Sequence, residues 1–113
     1  MKGETTMKLM TKELENRLAK YPLYSQDGKG KDETMVIAKF FFPVGNWTWY
    51  VTEGNKTENG DWEFYGYVVG DFPEFGYFTL SELEAVNVHG LKVERDMYFK
   101  PCKLTEVVER VVY

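Results

Sequence analysis

A chain of 113 residues that is 43% hydrophobic and 17% aromatic has ample apolar area to offset ordering entropy, which excludes disorder and suits one domain burying about two-thirds of its unfolded surface. A net charge of −4 argues against a general phosphate-backbone binder, which needs clustered Lys and Arg. The single cysteine, Cys102, has no mate for a disulfide and fits a reducing compartment, and no apolar run is long enough to cross a bilayer.

In chain order, residues 1–8 are polar, lack a hydrophobic export segment and are expected to form a flexible leader to a cytoplasmic protein whose single domain spans 9–113. Thr11 is placed to cap a helix carrying Leu14 and Leu18 one turn apart, with Pro22 as its stop. "SQDGKGKDE" is expected to be a mobile loop. Thr34–Phe42 is an apolar strand closed by Pro43. In "NWTWYVTEG" Trp47, Trp49 and Val51 alternate with Thr48, Tyr50 and Thr52. A turn near Asn59-Gly60 leads to the return strand Trp62–Val69, with Trp62, Phe64 and Val68 on one face and Glu63, Tyr65 and Tyr67 on the other. "EFGYFTL" supplies a fourth strand. Thr79 and Glu82 form a capping box for a helix with Leu80, Leu83 and Val86 inside. Leu91–Phe99 is a fifth strand or an extended arm, and Leu104, Val107, Val108 and Val111 have helical spacing.

These elements predict an α+β fold: an antiparallel meander of four or five strands, since the connections are too short for crossovers, with two or three helices packed on one face. The tryptophans are expected to point toward the helices. Tyr50, Tyr65 and Tyr67 are then expected on a half-wet face able to hydrogen-bond a partner.

The segments "KFFFPVGNWTWY", "EFGYFTLSEL" and "ERDMYFKP" resemble a small bacterial family carried on plasmids, conjugative elements and phages, whose domain has no assigned function. The matching residues include Lys39, Phe40, Phe41 and Pro43, then Asn46 to Tyr50. Further along they are Gly66, Val68, Gly70, Glu74, Gly76, Tyr77, Phe78, Leu80, Glu82 and Leu83, followed by Glu94, Arg95, Asp96, Tyr98, Phe99 and Pro101. The resemblance covers about residues 9–104. It implies a setting on mobile DNA, where small proteins blunt host defence or assist transfer, and it implies no catalytic residue or cofactor.

Among the chemistry-bearing residues, one histidine and one cysteine cannot build a Cys/His zinc site. His89 before Gly90 is expected in a turn and Cys102 as a small packed side chain. The lysines and glycines of "DGKGKDE" are set against a phosphate cradle and favour a plain loop. Glu94 and Asp96 share one side of a strand, a pair able to take a divalent cation or do acid–base work; Arg95 is expected to ion-pair with Glu74 or Glu82. The leading expectation is a non-enzymatic module that binds a host defence or DNA-processing protein, in the manner of an anti-CRISPR or anti-restriction inhibitor. Its contact residues are Tyr50, Tyr65, Tyr67, Glu74, Tyr77, Arg95 and Tyr98, with no cofactor, metal or membrane. The alternatives are a single-stranded nucleic-acid-binding accessory protein using Lys39, Phe41 and Tyr50, and a metal-dependent hydrolase using Glu94 and Asp96.

Overall fold

The computed structural model describes residues 8–110, so most of the expected leader and Val111 of the terminal helix lie outside the described residues. Helix α1 (Lys12–Leu18) begins where the Thr11 hydroxyl accepts the Leu14 N–H, and it buries Leu14 and Leu18. The expected strand over 34–42 divides into β1 (Met35–Val36) and β2 (Ala38–Phe41) on either side of Ile37, whose N–H still bonds the Val51 carbonyl. Strands β3 (Thr48–Lys56), β4 (Trp62–Val69) and β5 (Pro73–Thr79) follow as a meander, and helix α2 (Leu80–Ala85) starts on the expected capping box. The 91–99 segment holds only short ladders. A hairpin of β6 (Asn87–Val88) and β7 (Leu91–Lys92) is followed by β8 (Glu94–Arg95), β9 (Cys102–Lys103) and α3 (Leu104–Arg110).

The main sheet has five antiparallel strands in the order β5-β4-β3-β2-β8, and β1 pairs with β9 beside it. The class is α+β, as the pattern predicts. Cross-strand partners share a face, so Phe40, Trp49, Val68, Phe64 and Phe78 lie on one side, with Lys39, Tyr50, Tyr67 and Phe75 on the other. The first side meets α1 and α2 through Leu14, Leu18, Leu80 and Leu83.

The second side keeps Tyr50 and Tyr65 half-buried, as expected of a half-wet phenol face, but the expectation fails at Tyr67. Helix α3 lays Leu104 and Val107 there, enclosing Val36, Tyr67 and Val69 in a second core with Tyr50, Phe99 and Cys102 at its border. Two helices thus cover one face and the third covers part of the other. Tyr67 is only 7% exposed, whereas Trp47 is 43% exposed. Trp47 does not enter the core; its ring stacks on Trp49 and lies over Gly70, where a Cβ would come within 2.3 Å of it.

A bulge in β3 decides what reaches each side. Tyr50 and Val51 pair with Tyr67 and Gly66, but Glu53 pairs with Tyr65 and Gly54 with Phe64, so Thr52 is the extra residue. The Thr52 hydroxyl donates to the Tyr65 carbonyl at 3.0 Å across the disturbed ladder. The shift keeps the Glu53 carboxylate off the Phe64 face and puts Gly54 there instead, where a Cβ would press on the Phe64 and Leu18 side chains.

Glu53 then holds the following loop in place. Its two carboxylate oxygens accept the N–H groups of Tyr24 and Gln26 at 2.8 and 3.1 Å. The buried Gln26 amide donates to the Met35 and Thr52 carbonyls and accepts the Met35 N–H. Asn55 accepts the Leu23 N–H. The expected mobile loop is therefore anchored through its first half, because each buried polar group there finds a partner.

Candidate functional site

Strand β5 ends the sheet, and among the described residues no strand pairs with its outer edge. The direction of its backbone groups follows from two contacts. The Tyr65 carbonyl faces β3, where it takes the Thr52 hydroxyl, so the even residues of β4 are the ones that bond β5. At the far end the Thr79 N–H turns to the Glu82 carboxylate. By alternation, the N–H and C=O groups of Phe75 and Tyr77 point outward.

The same two residues carry exposed rings, 46% for Phe75 and 53% for Tyr77. Their ring centroids lie 6.2 and 4.9 Å from that of the half-buried Tyr65, and Phe75 also meets Tyr67 at 5.0 Å. Phe72, 74% exposed, precedes the strand. The anchored loop brings Tyr24 alongside with a positive φ of 73°. A hydrogen bond with the Tyr24 hydroxyl, with burial and nearby negative charge adding to it, pushes the Tyr77 phenol up to about 12. A recess of about 370 Å³ between Lys29, Lys31 and the rings of Tyr65 and Phe75 adjoins the patch. The loop leads into β1, not into a helix, so the phosphate-cradle geometry is not present.

At the opposite edge, β8 is only two residues long. A cleft of about 540 Å³ opens there among Lys39, Tyr50, Asp96, Tyr98, Phe99 and Cys102. Lys39 sits 3.7 Å from Asp96 and 5.8 Å from the centre of the Tyr50 ring. The other Asp96 oxygen accepts the Tyr98 N–H at 2.9 Å. Asp96 thus serves local structure through both oxygens, and among the described residues no three His, Cys, Asp or Glu side chains gather as a metal site.

The seven nominated contact residues do not form one patch. Glu74 and Tyr77 lie on β5, Glu74 on the side opposite the phenols, and Tyr65 is the partner of Tyr77 on the neighbouring β4. Tyr67 is a core residue and Tyr50 borders the same core. Arg95 and Tyr98 lie at the other end of the sheet, where Tyr98 is 90% exposed. Four strand spacings, about 19 Å, separate β8 from β5, so the expected Arg95–Glu74 ion pair cannot form. Glu82, the other partner expected for Arg95, is engaged with Thr79. Phe41 pairs with Glu94 next to Lys39 on the cleft side. His89 occupies the β6–β7 turn with φ 54°, as its place before Gly90 predicts.

Phe72, Phe75 and Tyr24 escaped the sequence reading. The signal that could have found the first two is Pro73 beside a short aromatic strand, since proline within a sheet belongs at an edge. The family described as "Protein of unknown function (DUF2958)" matches residues 9–110, nearly the entire chain. The chain belongs to the DUF2958 family. The match takes in α3, so the helix that closes the second core is part of the DUF2958 domain and extends the likeness past Leu104. No curated protein and no solved structure matches the chain.

Proposed function

We propose that this DUF2958 protein is a non-enzymatic protein-binding module whose contact surface is the β5 edge. The observation that carries the reading is the pair of exposed rings at Phe75 and Tyr77 on a strand whose outer edge is unpaired among the described residues, with exposed Phe72 just before it and Tyr24 alongside. Exposed apolar side chains gathered in one place mark interaction surfaces, and aromatic residues dominate binding energy where they occur. The mobile-DNA setting implied by the family resemblance supports a host protein as partner, from a defence or DNA-processing system, with inhibition of the anti-CRISPR or anti-restriction kind as the outcome.

The test is reconstitution. Affinity isolation from host cells, followed by mixing of the purified components, is expected to give a stoichiometric complex on gel filtration. Phe75→Ser combined with Tyr77→Ser should abolish it while the circular dichroism spectrum keeps its native shape, the lost ring contacts with Tyr65 and Tyr67 lowering the melting temperature without unfolding the chain. A complex that survives the double substitution moves the contact surface elsewhere.

A second reading rests on Lys39 over the Tyr50 ring in the cleft beside exposed Tyr98, an arrangement suited to stacking a base. Binding of labelled single-stranded DNA that weakens steeply with salt and is lost in Lys39→Ala would favour that reading.

A further inference from the structure

Resting on the protein-binding reading, we infer that the partner engages by strand addition: an extended segment of hydrophobic–basic–hydrophobic alternation pairs antiparallel with the outer edge of β5. The edge offers the backbone for it, since the N–H and C=O groups of Phe75 and Tyr77 point away from β4. Sheet edges are ordinarily blunted by lysines, bulges or brevity. β8 at the other end is two residues long, but β5 runs for seven, contains no lysine, and carries its only proline at its first position.

The side chains specify the segment. Residues paired with Phe75 and Tyr77 project onto the phenol side, where apolar or aromatic groups extend the ring cluster. The residue between them projects onto the other side opposite Gly76, where a Cβ would meet no atom within 4 Å. A long aliphatic stem fits over that bare glycine, and its head reaches the exposed Glu74 on the same side of the strand. Asp71 lies near the start of β5, and Lys29 and Lys31 line the recess beside Phe75 on the phenol side, away from Glu74. The stem therefore ends in a cation, Lys or Arg.

A random-peptide phage library selected on the immobilised full chain tests this. Enriched clones are expected to share the hydrophobic–basic–hydrophobic alternation. Their synthetic peptides should slow hydrogen exchange at the Phe75 and Tyr77 amides. Tyr77→Pro, which removes an outward N–H along with the ring and no ladder bond, should weaken peptide binding beyond Tyr77→Ala, which removes the ring alone. N-methylation of the peptide at the positions facing β5, which leaves the protein untouched, should weaken binding at least about tenfold.

Enriched peptides that bind the rings without protecting those amides, and that tolerate N-methylation, overturn strand addition while leaving the protein-binding reading intact. Failure to enrich any such pattern also overturns it. A concentration-dependent dimer in sedimentation that Tyr77→Pro dissolves shows the edge to be taken by a second copy, which overturns the assignment to a partner segment. Failure of the broader reading shows separately, as a reconstituted complex indifferent to Phe75→Ser and Tyr77→Ser.

Discussion

Gly66 and Gly76 are cross-strand partners, yet their surroundings differ sharply. A Cβ on Gly66 would lie 1.9 Å from the Tyr50 carbonyl oxygen, a backbone atom that has no rotamer to escape into, whereas one on Gly76 would meet open space. Gly66→Ala is therefore expected to cost at least about 3 kcal/mol, and Gly76→Ala to stay within about 0.5 kcal/mol of the wild type; urea denaturation of the pair checks both. The spacing of residues gave no hint of this asymmetry, because period two fixes which side a residue faces and not what stands above it. The same limit explains Trp47 and Tyr67. Both sides of β3 and β4 are rich in rings, so alternation alone could not rank them for burial, and a tyrosine enters a core readily when its hydroxyl finds a partner.

Between elements, Asp61 joins the end of the β3–β4 turn to the start of α2. Its carboxylate accepts the Trp62 and Ser81 N–H groups at 2.7 and 3.1 Å and the Ser81 hydroxyl at 2.6 Å. The Ser81 hydroxyl contributes most to holding the Asp61 carboxyl below its ordinary value of 3.8. A depressed folded-state value means that the stabilisation is complete above the ordinary value and is lost as pH falls through the folded one. The melting temperature of the wild type should thus exceed that of Asp61→Ala at pH 7, with the gap closing as pH drops below about 4; thermal melts at several pH values test this. Element identities were largely legible because their signals are local. The Thr11 cap, the Thr79–Glu82 box, and the turn at Gly60 with its positive φ all stand where the residues put them. What Asp61 holds together was not, since Ser81 is twenty positions away along the chain and the bond exists only once β5 has returned.

At the scale of the molecule, the sheet is packed on both sides, and α3 is what makes it so. Leu104→Ala removes a buried anchor of the smaller core and should cost about 3 kcal/mol, measured by denaturant unfolding, with increased hydrogen exchange at β1 and β9. The 3.6-residue period of Leu104, Val107 and Val108 marked the helix, but no local pattern says which side of a distant sheet it will cover. The candidate site was legible to the same degree. Strand alternation brings Glu74 and Tyr77 onto β5 and Tyr65 onto β4 beside Tyr77. Arg95 and Tyr98 lie at the other end of the sheet, because strand order is a property of the assembled sheet and no local pattern encodes it.

The single supernumerary position at Thr52 works as a phase switch for everything downstream in β3. Were Thr52 paired in a regular ladder, Glu53 would come opposite Phe64 and an ionised group would rotate into hydrocarbon, while Tyr24 and Gln26 would lose their anchor and Tyr77 its neighbour. A one-codon deletion there should consequently leave Glu53 opposite Tyr65 and Gly54 opposite Phe64, removing the Thr52 bonds to Tyr65 and Gln26 but preserving the aim of every side chain from Glu53 to Lys56.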